Sequence, residues 1–460
     1  MRAFVVDEPR VGALRALNYA PAVERIRRTG SASAYALRDV FRSIGESYGS
    51  RFVNVHCHQD HGVEVLSQGD MFRAEPNGRF IRRDCMPHAV RHRIHEGQVL
   101  IAGAGTLGEN ELFGRCLLAD KRMAGKHVGP HAVVLNPVES DSDLSLFTFA
   151  WLASPTGLQA IRSTCYGTKI LGLRLDMLAS LPVPIASTDV VKRVARLIRK
   201  CADGRAAYVA KIDAARAIAL QLPEVASASE ACAERKRRSV FSNGPFASLG
   251  AWNIAGAGAA LSILRGSTRH RLRDFLAPSG MYYGARSARV PCTAPNGVDF
   301  VAQRDAFLTT PIPRRVFLPG VREDLLFAPT GSLLIAGRGT LGDGEIFGRS
   351  VQAVGKLSRL VFTEDMLRLT VDEEHSNFLY AFLSTPIGVQ LIRTAAVGTK
   401  ILKLRDDLMR TLPIPEASMT QRRSISESVA QANAARAEAD KAESEAIRTI
   451  EEEVLPKWLA

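Results

Sequence analysis

Residues 97–115 read GQVLIAGAGTLGENELFGR, and residues 331–349 read GSLLIAGRGTLGDGEIFGR. The two segments align without gaps at an offset of 234 and are identical at 13 of 19 positions. Chance does not produce a match of this quality, and self-similarity at one long spacing indicates a duplicated module. The chain of 460 residues is therefore predicted to contain two copies of one fold.

The match continues on both sides of this stretch. Residues 154–184 align with residues 385–415 at an offset of 231, with 16 of 31 positions identical, including GTKIL in both copies and LPVP against LPIP. Shorter upstream matches occur at an offset of 235 and pair LRD at 37–39 with LRD at 272–274, Tyr48-Gly49 with Tyr283-Gly284, Gln68 with Gln303, Asp70 with Asp305, and Phe72 with Phe307. The duplication thus covers the whole chain, and the copies meet near residues 223–240.

Each copy has the same internal order. A mixed region with short apolar runs and Gly/Pro punctuation is typical of α+β structure. A Pro-x-Pro stop follows, and after it comes a segment with apolar residues at three- and four-residue steps, which predicts an amphipathic helix. In the second copy the predicted stripe consists of Ile425, Val429, Ala432, Ala439, Ala446 and Ile450.

The two predicted helices carry opposite charge. Residues 189–224 hold eight Lys or Arg against four acids, and residues 427–453 hold eight acids against three bases. Charged flanks of opposite sign favour helix pairing and set its orientation. We therefore predict an α+β protein in which two mixed domains are joined by two long antiparallel helices that form a coiled-coil-like spacer. The predicted bounds are 1–187 for the first domain, 188–222 for its helix, 223–240 for a linker, 241–417 for the second domain and 418–456 for its helix.

Composition narrows the class of partner. Sixty Lys and Arg against 47 Asp and Glu give a net charge of +13 and a pI near 9.6, which favours a polyanion, with nucleic acid ahead of an acidic membrane surface. Seven scattered cysteines without a C-x-x-C pair indicate a reducing cytoplasm. The longest weakly polar run, residues 251–264, is too short to span a bilayer, so no membrane association is expected.

The repeated motifs together resemble one family. A G-T-L-G turn at 105–108 and 339–342, a G-T-K run at 167–169 and 398–400, an L-P-x-P stop and a long helix occur twice in the same order. This order resembles the specificity subunit of type I restriction-modification systems over nearly the whole chain. In that family each mixed region is a target recognition domain that reads one half of a split DNA site, and the helices set the gap.

The resemblance also implies partners. It implies double-stranded DNA as the ligand and two methyltransferase subunits as protein partners, which would carry S-adenosylmethionine, with a restriction-translocase subunit as a further partner. No catalytic residue, metal or cofactor is then expected in this chain. The family usually places a Glu-Gln pair after the proline stop. Here the second copy has Gln421 near that place, whereas the first has Ser187-Thr188-Asp189-Val190, which leaves open a recognition scaffold of another DNA-modifying or defence complex.

One motif suggests an enzyme instead. His56, His58, Asp60 and His61 fit the H-x-H-x-D-H pattern of two-metal hydrolases, in which closely spaced His and Asp side chains hold metals that activate water. The aligned residues of the second copy read PCTAPN at 291–296, which cannot bind zinc in that way. A polar loop that faces DNA is the favoured interpretation, and the metal-dependent hydrolase is the alternative.

Two other motifs are interpreted as structural. The strings at 103–108 and 337–342 satisfy G-x-G-x-x-G, but a dinucleotide site needs a helix next, and ENELFG and DGEIFG instead indicate a turn and a strand. A glycine-rich turn is predicted. An adenine methyltransferase would need an N/D-P-P-Y/F tetrapeptide, and none occurs.

Candidate DNA contacts are the Lys, Arg, Asn, Gln and His residues of the mixed regions, because cations bind phosphates and Arg, Asn and Gln read base edges. In the first copy they are Arg51, His58, Gln59, Arg79, Arg82, Arg83, Arg91, Arg93 and Lys169. In the second copy they are Arg286, Arg289, Asn296, Arg304, Arg314, Arg315 and Lys400. The basic run at 235–238 is a further candidate for contact with the DNA backbone.

Overall fold

A computed structural model of the chain describes residues 21–30, 35–108, 110–233, 256–322, 326–342 and 344–459. The basic run at 235–238 lies outside these residues. The chain divides into two compact units: the first combines Met1–Ala206 with Glu438–Ala460, and the second is Ala207–Ala437. Both units mix helices with sheets, which confirms the predicted α+β class.

The elements of the first unit that precede its long helix are short. The helices are α1 Pro21–Gly30, α2 Leu37–Val40, α3 Gln68–Met71, α4 Ala89–His92, α5 Asp143–Ala153, α6 Pro155–Arg162 and α7 Leu175–Ala179. The strands are β1 Phe41–Ile44, β2 Gly62–Leu66, β3 Arg79–Arg82, β4 Val99–Ala102, β5 Ala104–Gly105, β6 Cys116–Leu118, β7 His127–Val128, β8 Ala132–Pro137, β9 Cys165–Gly167 and β10 Leu171–Leu173. They form three sheets with the strand orders β1-β8-β4-β6, β3-β2-β7 and β5-β10-β9.

The second unit repeats this plan. Its strands are β11 Leu276–Tyr283, β12 Val290–Pro291, β13 Val298–Val301, β14 Arg314–Phe317, β15 Leu333–Ala336, β16 Arg338–Gly339, β17 Ser350–Gln352, β18 Val361–Phe362, β19 Met366–Val371, β20 Ala396–Val397 and β21 Leu402–Leu404. The sheets are β11-β19-β15-β17, β12-β14-β13-β18 and β16-β21-β20. Each sheet therefore has a counterpart in the first unit, and β12 is an added edge strand.

Helices of the second unit complete the repeat. They are α9 Pro223–Ala233, α10 Gly256–Ser267, α11 Glu373–Leu383, α12 Pro386–Thr394 and α13 Asp406–Arg410. The position of α10 matches that of α1 at the offset of 235. Residues 223–233, which the sequence prediction placed in a linker, form α9, which packs against α10.

Two long helices follow the proline stops, as predicted. They are α8 Thr188–Leu220 and α14 Met419–Thr449, and a π-helical turn Ile450–Val454 leads from α14 to α15 Leu455–Trp458. Ser418 and Gln421 begin α14 as a capping box: the Gln421 N–H donates to Ser418 Oγ and the Ser418 N–H donates to Gln421 Oε1. Every member of the predicted stripe from Ile425 to Ile450 is fully buried.

The two helices run antiparallel within each unit. In the first unit Arg193 pairs with Glu453, and Arg205 Nη2 lies 2.7 Å from Glu443 Oε2. In the second unit the guanidinium of Arg436 stacks on the Tyr208 ring, with 5.3 Å to the ring centroid. The predicted opposite charges therefore do face each other across the first-unit segment of the seam.

Two further features bear on the sequence predictions. Within the described residues, no helix is both long and apolar enough to cross a membrane. All seven cysteines lie in the described residues, and each is a free thiol.

Candidate nucleic-acid interface

Eight of the predicted contacts in the first unit lie on one small lobe. The sheet β3-β2-β7 forms its centre, and Val65, Ile81 and Met86 form its core, with Phe52 packed against them. The loop before β2 joins the lobe because His56 pairs with Ile81 as an isolated bridge. The fold thus brings to one lobe residues that are far apart in sequence: Arg51, His58, Gln59, Arg79, Arg82, Arg83, Arg91 and Arg93.

Neighbouring charges separate six of these candidates into two groups. Arg82 forms an ion pair with Asp84, a hydrogen-bonded contact that raises the pKa of Arg82, and His58 Nδ1 lies 2.9 Å from Asp60 Oδ2. The other group is exposed and forms no ion pair with another described residue; it consists of Arg51, Arg83, Arg91 and Arg93. Unpaired exposed cations remain available to phosphates without first losing a carboxylate partner.

The His-rich loop does not form the metal site of the hydrolase alternative. Within the described residues, no group of three or more His, Cys, Asp or Glu side chains is arranged so that it could hold a metal ion. The reason lies in the backbone: His56 is bridged to β3, whereas Gln59–His61 form a separate 3-10 turn. The loop instead borders an open depression lined by Cys57, His61, Arg82, Arg83 and Asp84.

In the second unit the equivalent sheet holds its arginines differently. Arg315 donates to the carbonyl of Asn296 at 2.9 Å, and its Nη1 lies 3.0 Å from Asp299 Oδ1 on the neighbouring strand β13. Arg314 is exposed and forms no ion pair with another described residue. Arg315 is thus engaged inside its own sheet, and Arg314 is the better placed of the two to reach a ligand.

A second cluster of this unit surrounds Glu364. Arg289 Nη2 lies 2.6 Å from Glu364 Oε2, and Arg286 Nε lies 3.8 Å from Glu364 Oε1. Arg289 also stacks on the Phe300 ring at 4.7 Å. Arg368 lines the same small depression from the interior, where burial lowers its pKa. The remaining arginine candidate, Arg304, is exposed beside the buried Asp305, with Nε 3.5 Å from Oδ1.

Aligning the two sheets shows which positions are shared between the copies. At the offset of 235, Arg51 corresponds to Arg286 and Arg79 to Arg314, and at 231 Lys169 corresponds to Lys400. Other positions change: His58 corresponds to Thr293, Gln59 to Ala294, and Arg82 to Phe317. The two copies therefore share a cation at three positions and carry different side chains at three others.

The glycine-rich turn is a structural junction. Gln68 closes two hydrogen bonds with the backbone of Ala104, and Gln303 does the same with Arg338. The Tyr48 hydroxyl donates to Gly103 O at 2.8 Å and accepts the Leu173 N–H at 3.1 Å. No helix follows the described part of either glycine string: the next regular elements are strands β6 and β17. The described parts of both strings are therefore turns between strands, without the helix that a dinucleotide site needs.

Sequence reasoning did not give roles to these junction residues. The repeat does mark Tyr48 and Gln68 as paired with Tyr283 and Gln303, but identity alone cannot distinguish a buried hydrogen-bonding group from a ligand contact. Arg162 is a similar case, since it aligns with Arg393 and donates to the carbonyls of Phe113 and Glu111.

Comparison with solved structures finds similar chains over most of this one. The S subunit of the type I restriction-modification system from M. genitalium is 13% identical, with 92% of this chain and 95% of that chain covered and a TM-score of 0.32. The HsdS subunit from Thermoanaerobacter tengcongensis is 14% identical, with 92% and 95% covered and a TM-score of 0.25. A structure of type I R-M complex assembly gives 14% identity, 92% and 96% coverage and a TM-score of 0.24. No protein-family model and no curated protein matches the chain. Two of these structural neighbours are S subunits.

Proposed function

We propose that this chain is the sequence-specific DNA-binding subunit of a type I restriction-modification complex. Each mixed domain reads one half of a bipartite target, and the two long helices set the gap between the halves. The chain itself performs no catalysis. Two methyltransferase subunits that carry S-adenosylmethionine dock on it, with a restriction-translocase subunit as a further partner, in the cytoplasm.

The proposal rests on two equivalent sheets that share one topology but carry different exposed side chains. The sheets β3-β2-β7 and β14-β13-β18 have the same topology, yet the exposed side chains on them and in the loops before β2 and β13 differ at His58/Thr293, Gln59/Ala294 and Arg82/Phe317. A duplicated enzyme would have to keep its reacting groups in both copies. A reader of two unlike half-sites needs the opposite, a constant frame with variable contacts.

The shared cations suit the part of DNA that does not vary. Arg51 and Arg286, Arg79 and Arg314, and Lys169 and Lys400 occupy equivalent exposed positions. Phosphates are the same at every base pair, so contacts to them can be identical in both halves. Among the variable residues, Gln59 is suited to adenine, and Arg82 or Arg83 to guanine.

Selection of bound duplexes from a random library tests the proposal, with the full chain and a methyltransferase partner present. Two short motifs separated by a fixed, unspecified gap are expected. One continuous motif would contradict the bipartite arrangement, and the absence of any motif would contradict sequence-specific binding. Replacing residues 1–187 by the first domain of another such subunit should change one motif and leave the other intact.

Single substitutions then separate the two kinds of contact. Arg51→Ala is expected to weaken binding to all duplexes alike and to reduce the slope of log affinity against log salt by about one. Gln59→Ala is expected to relax preference in one half-site and leave the salt slope unchanged. Arg315→Ala serves as a comparison, because that guanidinium is engaged by Asp299 and the Asn296 carbonyl. Equal salt slopes for wild type and Arg51→Ala would remove Arg51 from the phosphate contacts.

A further inference from the structure

Each unit exposes apolar side chains at one hairpin tip. In the first unit, Ile170 is 70% exposed and Leu107 is 45% exposed. The last residue pair between β5 and β10 is Gly105 with Leu171, so Thr106-Leu107 and Lys169-Ile170 extend from the two sides of that pair. We call the residues Thr106, Leu107, Thr168, Lys169 and Ile170 the repeated tip of the first unit.

The second unit has the same tip with the same residues. Its members are Thr340, Leu341, Thr399, Lys400 and Ile401. Ile401 is 68% exposed and Leu341 is 38% exposed, close to the values of their counterparts. The pair Gly339 with Leu402 again ends the strand contact. Position, chemistry and exposure are therefore all duplicated.

The backbone holds each tip in one shape. Gly167 and Gly398 adopt φ angles of +97° and +111°, a backbone conformation that residues with a side chain rarely adopt. A Cβ atom at either glycine would lie 2.7 Å from the carbonyl oxygen of Ile170 or Ile401. Tyr48 also fixes the base of the first tip through its bonds to Gly103 and Leu173. The exposed isoleucine is therefore presented on a rigid hairpin.

Among the other exposed apolar residues, Val55 and Val290 are likewise paired at the offset of 235, but Val138 and Ile185 are not. Val138 and Ile185 are 55% and 54% exposed, but their counterparts are Asp372 and Glu416. At the tips, by contrast, an isoleucine and a leucine are exposed together in both copies, which favours a ligand common to both copies. These side chains cannot read sequence, because identical residues would read identical bases in both half-sites.

The charges around the tips favour DNA as that common ligand. Lys169 and Lys400 are exposed and form no ion pair with another described residue. Arg51 follows Tyr48 by three residues in the sequence, and Arg286 follows Tyr283 by the same spacing. In each unit the tip thus combines an exposed cation with an apolar pair, and a second cation lies three residues beyond the tyrosine. Proteins that deform duplexes combine cations on phosphates with Leu, Ile or Phe wedges between base steps in the minor groove.

We propose that the repeated tips are sequence-independent wedges, in which Ile170 and Ile401 enter the minor groove and bend the duplex while Lys169 and Lys400 hold flanking phosphates. This proposal rests on the proposed DNA-binding function. It adds a second kind of contact to that function: the variable residues choose the site, and the tips deform it.

The test uses the full chain and a duplex of random sequence with a donor dye at one end and an acceptor dye at the other. The wild type is expected to bind and to shorten the end-to-end distance. The double variant Ile170→Ala/Ile401→Ala should bind about 10-fold more weakly or worse, since two buried apolar contacts are lost, and should no longer bend the duplex. The matched control is Val138→Ala/Ile185→Ala, which removes comparably exposed but unduplicated side chains and should behave as the wild type.

Some outcomes would contradict the wedge alone, and another would contradict the proposed function as well. Unchanged binding and bending by the Ile170→Ala/Ile401→Ala variant would overturn the wedge and leave the proposed function intact. Unchanged DNA binding by this variant, together with loss of a co-purified methyltransferase subunit, would also overturn the wedge and would assign the tips to protein docking. If the wild type binds no duplex, both the wedge and the proposed function fail. Equal melting temperatures of all variants establish that folding is not the cause.

Discussion

His92 connects strand β7 of the first unit to the segment that carries Arg51. Its Nε2 lies 2.8 Å from Ser50 Oγ, its Nδ1 lies 3.1 Å from the carbonyl oxygen of Val128, and its ring meets the edge of Phe52. Burial lowers the pKa of His92 below its ordinary value, and the bond to Val128 only partly offsets this effect. The neutral imidazole is thus the form that supports the lobe.

We predict that the first unit loses stability in mild acid because of His92. The unfolded chain binds the proton near pH 6.5 and the folded chain binds it only at lower pH, so stability is full above about pH 6.5 and is lost as the pH falls from there through the lower pKa of the folded state. The melting temperature should therefore drop between about pH 7.5 and about pH 5.5, and His92→Gln should reduce this drop. His127, another buried imidazole with a lowered pKa, should contribute in the same direction.

The exposed His88 provides the control for this measurement. His88→Gln should retain the full dependence of the melting temperature on pH, because the buried imidazoles that produce this dependence are still present. An identical pH profile for wild type and His92→Gln would show that protonation of His92 does not limit the stability of the lobe.

At the scale of elements, the seam of the long helices differs between the two units. The residues at its centre are Arg205 on α8 and Arg436 on α14, which are equivalent at the offset of 231. Arg205 forms a nearly buried ion pair with Glu443, whereas Arg436 stacks on Tyr208 and donates to the Leu308 carbonyl. Burial alone would lower the pKa of Arg205, but the adjacent Glu443 carboxylate raises it above the ordinary value, so the charge is retained.

Breaking this ion pair should therefore be costly. We predict that Arg205→Ala lowers the free energy of unfolding by about 3–5 kcal/mol, because the buried Glu443 carboxylate loses the guanidinium that faces it. Arg205→Met/Glu443→Leu should recover most of the loss, since it replaces the charges with apolar volume. Denaturant unfolding followed by circular dichroism measures both.

Lys200→Ala is the matched control, because Lys200 forms an exposed ion pair with Glu438 on the same helices. Exposed pairs contribute little to stability, and no measurable loss is expected. If Arg205→Ala and Lys200→Ala behaved alike, the buried pair would have no special role in the seam.

At the scale of the whole molecule, the units do not follow the linear order of the chain. The first unit includes Glu438–Ala460, so the end of α14 and all of α15 belong with the N-terminal domain. Ile450, Leu455 and Trp458 are part of the same hydrophobic core as Phe147 and Trp151 of α5. Glu451 also accepts hydrogen bonds from the backbone and the hydroxyl of Thr156, at the start of α6.

Because the C-terminal residues belong to the first unit, a substitution among them should destabilise that unit. Trp458→Ala should cost about 3–5 kcal/mol, because a large buried side chain is removed from a packed core. Hydrogen exchange should then show faster exchange in residues 143–162, whereas residues 373–394 of the second unit should keep their protection. Faster exchange confined to residues 373–394 would contradict the assignment of the C-terminal residues to the first unit.

The duplication, the α+β class and the two long helices were predictable from the amino-acid sequence alone. These features are local: identity at a fixed offset reports a shared fold, and a three- and four-residue apolar spacing reports a helix whatever surrounds it. The stripe from Ile425 to Ile450 was therefore predictable residue by residue. The glycine strings were also predictable as turns, because the residues after them along the chain are unsuited to the helix that a dinucleotide site needs.

Which candidate residues are available to a ligand depends on contacts made by the folded chain. Arg289 is engaged because Glu364 comes from a distant loop, and Arg51 remains unpaired because no carboxylate of the described chain lies within ion-pair distance. The same holds for the His-rich loop, whose spacing suggests a metal site although the described fold brings no three His, Cys, Asp or Glu side chains together to hold a metal ion. Ion pairs, burial and the membership of Trp458 in the first unit depend on residues brought together by folding, and no local pattern records these contacts.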